Sequence, residues 1–252
     1  MSDTDRGTAS VVAFAGATGG AGTTRTVVEV AAALAADGRE VCVVDAAYAT
    51  QGLGEYLDGR LAPDVTALVT DERDADLGAG LVEMDLGVSG RVAAAPANAP
   101  FERLARAKTV EAAEALEARI ETAAARFDHV LLDVPPIAAN QAVAAVNAAD
   151  RIAVVAPGSD RGTEAVQRTH ERLADVGAEA SLVVAVRGDG VGDLSIPATK
   201  ATDAAAAPAC LGATGAFATA IERVAAAAVG EEIVVPEADS GFLGTVGEYV
   251  GR

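Results

Sequence analysis

Lysine is nearly missing from this chain: only Lys108 and Lys200 occur in 252 residues, and every other cation is arginine. Tryptophan is absent, aromatics make up 3%, and there are two cysteines. Each shortage excludes something. Cys42 and Cys210 are too few and too far apart for a disulfide scaffold or a thiolate metal site. Cys42 lies in an apolar run, where a buried inert thiol is expected. No stretch reaches the roughly 18 consecutive apolar residues of a membrane span. Residues 1–8 are polar and acidic rather than a signal peptide, so a cytoplasmic protein is expected. With 19 Lys+Arg against 37 Asp+Glu, the formal charge is −18. Contacts with nucleic acid and anionic lipid run through cations that neutralise phosphate, so this balance argues against both as nonspecific partners. It matches a protein of a salt-in halophile, in which molar salt screens carboxylate repulsion over about 3 Å.

What is present is a core. Hydrophobic residues reach 51%, and alanine alone makes up about a quarter of the chain. The composition excludes global disorder, and the length fits one large α/β domain or two small ones. Strand-like runs at Ser10–Gly16, 40–46, 91–97, His129–Val134, 151–156 and 181–186 are continuously apolar, as strands buried on both faces are. Helical runs at 24–37, 110–127, 140–149, 163–176 and Ala216–Val229 alternate with them. That order predicts a mostly parallel sheet with helices on both faces. We find no repeat and no domain boundary. The expectation is a single domain over 1–252, with a flexible N-terminus at 1–9, a helical and loop insertion at 51–90 and a tail at 237–252. Residues 201–209 are low in complexity and read as a mobile loop or helix start; residues 231–236 read as one more strand.

The most informative segment is Gly16-Ala17-Thr18-Gly19-Gly20-Ala21-Gly22-Thr23-Thr24-Arg25. It leaves a buried strand and opens a helix, where backbone N–H groups and the helix dipole together favour phosphate. In most phosphate loops a lysine follows the last glycine and a Ser/Thr comes next to hold Mg²⁺. Here Thr23 takes the lysine place and Thr24 the Mg²⁺ place, although Thr24 also suits a plain helix cap. Asp133 ends an apolar strand, where it suits either a water-mediated Mg²⁺ contact or the capping of a nearby loop; Asp45 poses the same choice. His129 and His170 lack any Ser, Cys or Asp constellation and are not read as catalytic. Arg91, Arg103, Arg106 and Lys108 form a small basic cluster, read as a solvated face.

From residue 17 onward the sequence resembles the ParA/MinD family of deviant Walker A ATPases. Residues 17–25 lie on its G-K-G-G-x-G-K-T-T loop, Val43-Val44-Asp45-Ala46-Ala47 on its hydrophobic-D-x-D motif, and residues 127–136, ending Asp133-Val134-Pro135-Pro136, on its Walker B segment. Ile196-Pro197 stands where members carry an I-P pair. The resemblance implies a three-layer P-loop NTPase-like fold and binding of ATP or ADP with Mg²⁺. Gly19, Gly20, Ala21, Gly22, Thr23, Thr24 and Arg25 would form the cofactor-binding loop, and Thr24, Asp45 and Asp133 would serve the metal. It also implies protein partners, a possible homodimer, and a positioning role toward a cargo such as a surface appendage, a chemosensory cluster or the chromosome.

The departures bear on activity. Thr18 replaces the lysine that reaches across a dimer, Thr23 replaces the loop lysine, and Ala47 replaces the second acid of hydrophobic-D-x-D. Ala185 and Val186 stand where members place an adenine-reading Asn. The loop is closest to the CpaE/TadZ branch, and the composition suggests a haloarchaeal member. Charged hydrogen bonds are worth roughly 1.5–3 kcal/mol each, so losing two lysines lowers affinity by about 10²–10⁴. Two readings follow: a scaffold with weakened or lost ATP binding and hydrolysis, or a working ATPase in which an arginine such as Arg25 replaces the lysines. The acidic tail lacks the basic amphipathic helix that anchors MinD to membranes.

Overall fold

Branched aliphatic residues fill the short apolar runs, and in the computed structural model, which describes residues 9–188, 190, 192–211 and 215–234, those runs are strands. They are β1 (Ser10–Gly16), β2 (Glu40–Asp45), β3 (Val82–Met84), β4 (Arg91–Ala95), β5 (His129–Val134), β6 (Arg151–Pro157), β7 (Leu182–Val186) and β8 (Leu194–Ile196). They form one sheet in the order β3-β4-β2-β5-β1-β6-β7-β8. All neighbours are parallel except β3, which runs antiparallel to β4 at one edge. Parallel neighbours need crossovers, and helices supply them: α1 (Thr23–Ala36), α2 (Val65–Leu68), α3 (Phe101–Arg106), α4 (Val110–Ala124), α5 (Asn140–Asn147), α6 (Asp160–Asp175) and α7 (Ala216–Val229).

Alternate strand residues face opposite layers. Val12, Phe14, Val41, Val43, Leu131 and Val184 pack with α1 and α7. Val11, Ala13, Cys42, Val44, Val130 and Leu132 pack with Leu116 and Ile120 of α4 and Ala142 and Val146 of α5. The abundant alanine lets these helices approach the sheet closely. Its predicted three-layer α/β arrangement is the one observed.

Some local expectations change. The 51–90 segment contains short helical turns at Gly52–Tyr56, Val65–Leu68 and Leu77–Gly80, but it also contributes edge strand β3. Its arginine neighbours lie on an exposed face, as expected, and are laced by ion pairs: Arg106 with Asp71 and Glu102, Arg91 with Glu40 and Glu83, and the half-buried Arg103 with Asp71 and the buried Asp64. Residues 231–234 are not a strand; they pack on the turn after α1, where Arg39 pairs with Glu231 and Val234 N donates to Asp37. The rest of that segment, the N-terminal residues 1–8 and the 237–252 tail lie outside the described residues. No helix among the described residues is long and apolar enough to cross a membrane.

Candidate functional site

The parallel register brings the motif residues to one edge. β1 is flanked by β5 and β6, and β5 by β2, so the C-terminal ends of β1, β2 and β5 lie side by side. There the β1–α1 loop emerges beside Asp45 and Asp133, which are register partners on adjacent strands. Ligands bind at this edge in open α/β sheets.

The loop is shaped by glycine where the backbone demands it. Gly20 and Gly22 have φ of 73° and 95°, in the left-handed region, and Gly22 caps α1. A Cβ on Gly16 would lie 2.7 Å from the Thr23 hydroxyl, so that side chain folds back under the loop. Thr24 Oγ1 donates to Asp133 Oδ2 at 2.7 Å. Asp45 accepts from the amides of Ala47 and Ala97, at 2.8 and 3.1 Å. Both carboxyls are fully buried. Burial, reinforced by the neighbouring Asp133 charge, pushes Asp45 up to about 8; burial pushes Asp133 up to about 6, against the opposing Thr24 hydrogen bond. Two carboxyls held together in a dry site resist ionising together, and a cation between them would favour their charged forms.

The predicted loop residues Gly19, Gly20, Ala21, Gly22, Thr23, Thr24 and Arg25 line one cleft, with Ala47, Asp133, Pro135 and Pro136 across from them. Asp45 lies behind Ala47 in the β2 end. The Arg25 guanidinium is turned toward the far side: Nε bonds Glu29 Oε1 at 2.7 Å, and the two Nη groups bond the carbonyls of Ala201 and Asp203. Glu29 is fully buried and also accepts the amides of Ala209 and Cys210. With Arg25 it therefore ties α1 to Ala201, Asp203, Ala209 and Cys210, at the two ends of the 201–209 segment expected as a mobile loop or helix start. Sequence reasoning missed Glu29; the signal was an acid among the apolar residues of α1, four residues after an arginine.

A second pocket of about 340 Å³ adjoins the first, sharing Gly22, Arg25 and Tyr56 with it. Val186, Ile196, Pro197, Phe217 and Ile221 make it largely apolar. One cleft rich in backbone donors joined to one apolar pocket suits a ligand with an anionic chain at one end and a flat ring at the other. The donor set also fits a hard divalent cation: one hydroxyl and nearby carboxylates, with water completing the shell, as Mg²⁺ prefers. Among the described residues no group of three or more His, Cys, Asp or Glu forms a dedicated metal cage. The lysines usual in such a loop are replaced by Thr18 and Thr23.

Comparisons agree with this geometry. A family model described as "AAA domain" matches residues 9–182. No curated protein matches the sequence. Among solved structures, the MinC:MinD cell division protein complex of Aquifex aeolicus shares 21% identity, with 90% of this chain and 98% of that one covered and a TM-score of 0.72. MinD of Pyrococcus horikoshii OT3, complexed with Mg-ADP, shares 17% over 75% of this chain and 81% of that one, with a TM-score of 0.60. Cobyrinic acid a,c-diamide synthase of Mycobacterium smegmatis, with bound ADP and magnesium, shares 24% over 71% and 74%, with a TM-score of 0.58. These likenesses establish a common fold. The family match spans most of the chain and includes the glycine loop and both aspartate strands, and so the chain belongs to the AAA-domain family and carries the P-loop fold of MinD-type ATPases.

Proposed function

We propose that the protein is a ParA/MinD-like positioning or scaffold protein whose nucleotide site is retained in outline and weakened in charge. One observation carries the reading: the Thr24–Asp133 hydrogen bond lies beside a glycine loop that has no lysine. Backbone amides of residues 19–24 would cradle the phosphate chain of ATP or ADP. Thr24 and Asp133 would hold Mg²⁺, Asp133 through water, with Asp45 behind it; Thr24, Asp45 and Asp133 are thus the metal residues. Bound Mg²⁺ would supply charge neutralisation for the phosphates. The apolar pocket would take the base.

Hydrolysis of a phosphoanhydride depends on positioning and on charge stabilisation. Thr18, Thr23 and Ala47 stand where three groups that supply it would be, so turnover is expected to be slow or lost. Arg25 does not compensate in this arrangement, since Glu29 and two carbonyls occupy its guanidinium. The protein would then act by docking protein partners or a second copy across the loop-bearing face, as befits a fold shared with a MinC-bound protein. The −18 charge suits a cell interior of molar KCl and no direct hold on nucleic acid.

ATP turnover and calorimetric binding of Mg–ATP in molar KCl test this. Weak binding with little turnover is expected, and Thr23→Lys should tighten binding by about 10- to 100-fold. Turnover like that of lysine-bearing family members, abolished by Asp133→Asn, would overturn the weakened-site reading.

A further inference from the structure

β6 and β7 end in two glycine turns pressed backbone against backbone. A Cβ on Gly158 would fall 2.4 Å from the Gly188 carbonyl carbon, and one on Gly188 would fall 2.3 Å from the Gly158 oxygen. Gly158 N donates to Val186 O, and Arg187 N donates to Ile196 O. The residue clamped between these contacts, Arg187, has φ of 62°. A side chain rarely occupies that region, and it persists only where the surroundings over-determine it. Glycine precedents lie next door, yet the position holds an arginine.

Its guanidinium points at the loop. Nη2 donates to Gly20 O at 3.0 Å, across 167 residues of sequence. The same nitrogen stands 4.0 Å from where a Gly22 Cβ would be, in ordinary contact range, so the guanidinium lies against the turn that opens α1. Arg187 is exposed and, among the described residues, has no carboxylate in ion-pair reach. Arg25, the loop's other arginine, is occupied by Glu29. Arg187 lines the apolar pocket together with Gly22, at the junction with the loop cleft.

We propose that Arg187 is the cation of the site: it contacts the phosphates of a bound nucleotide in cis, in place of the lysines at positions 18 and 23. Guanidinium has five N–H donors and only one is used on Gly20, so a phosphate oxygen can be bonded while the loop is still held. The inference rests on the nucleotide reading above and adds the residue that would supply charge.

The test compares native protein with Arg187→Gly, Arg187→Gln and Arg187→Lys, using Mg–ADP, pyrophosphate and adenosine in molar KCl, with binding followed by calorimetry and NMR titration. Arg187→Gly and Arg187→Gln should weaken ADP and pyrophosphate by about 10- to 100-fold and leave adenosine unchanged, whereas Arg187→Lys keeps part of the affinity. Arg187→Gly also relieves the left-handed backbone, so the ligand-free Tm should stay level or rise while affinity falls. A clasp that only shapes the loop would lower both, and that result overturns the proposal. Equal losses for ADP and adenosine, or no loss for ADP, overturn it as well while leaving nucleotide binding intact. If native protein binds neither ADP nor pyrophosphate at millimolar concentration, the nucleotide reading falls and this inference falls with it.

Discussion

Aspartates stand at both ends of this sheet, and they do opposite things. At the entry of the strands, Asp128, Asp150 and Asp193 each make a reciprocal bracket with the neighbouring strand. The backbone N–H of Asp150 donates to Val11 O while its carboxylate accepts Val11 N at 2.8 Å. Asp128 does the same with Glu40, and Asp193 with Val183. Each bracket extends the parallel ladder by one rung and seats the carboxylate on a backbone amide. At the exit, Asp45 and Asp133 face each other on adjacent strands, fully buried, with their proton affinity raised. The entry carboxylates hold the sheet together; the exit pair opposes the ligand-free fold and is explained by what it could bind. Residue type alone does not distinguish them. Burial and the sign of the neighbouring group do.

The largest expected effect that would break this contrast comes from Asp133→Asn. It should abolish the Mg²⁺ dependence of nucleotide affinity, a loss of about 100-fold for a charged contact. Asn can still accept from Thr24, so differential scanning calorimetry should show an equal or higher Tm without ligand. A Tm loss would place Asp133 with the entry aspartates. Next, Asp128→Ala or Asp150→Ala should each cost about 1 kcal/mol, a Tm fall of roughly 2–4 °C, with nucleotide binding unchanged. A change in affinity would show that the two ends are coupled.

The pH response sharpens the contrast further. Asp45 and Asp133 have folded pKa values above their unfolded ones, near 8 and 6. Their contribution is fully present below pH ~4 and is lost as pH rises through those values, so ligand-free stability should decline from pH 5 to 8. His129 acts in the other sense. Burial lowers its pKa, and both ring nitrogens are buried without partners, so stability falls as pH drops through about 6.5. Urea unfolding across pH 5–8 in native protein and Asp133→Asn separates the two: the variant should lose the part of the decline centred near pH 6, keep most of the burial-driven Asp45 part toward pH 8, and keep the His129 limb. The smallest effect belongs to Tyr48→Phe. The Tyr48 hydroxyl is buried without a partner beside the Asp45 end of β2, so its removal should change stability by about 0.5 kcal/mol or less, and not unfavourably.

Much of this was readable before any coordinates. Ser10–Gly16 and His129–Val134 are strands over the residues that their apolar runs span, because a strand buried on both faces leaves a bounded hydrophobic run. The alternation with alanine-rich helices led to the layers. β3 and β8, three residues each, carry too little periodicity to read. In the site, the glycine loop, Thr24, Asp45 and Asp133 each lie on a motif, but the adjacency of the two aspartates is a matter of strand order and register, which no local pattern encodes. Arg187 carried no motif at all. Its significance lies in a backbone angle and in a contact with Gly20 far away in sequence.

The Glu29 junction has a consequence for the thermodynamics of binding. Through its two amide contacts and Arg25, it already fixes residues 201–210 along the wall of the apolar pocket. Immobilising a flexible loop on binding costs roughly 1–2 kcal/mol per residue in lost backbone freedom. Here the fold has met that requirement in advance, through one buried carboxylate. A site short of cationic contacts would then need fewer of them to hold a ligand, because less of the interaction energy would be diverted to ordering the protein.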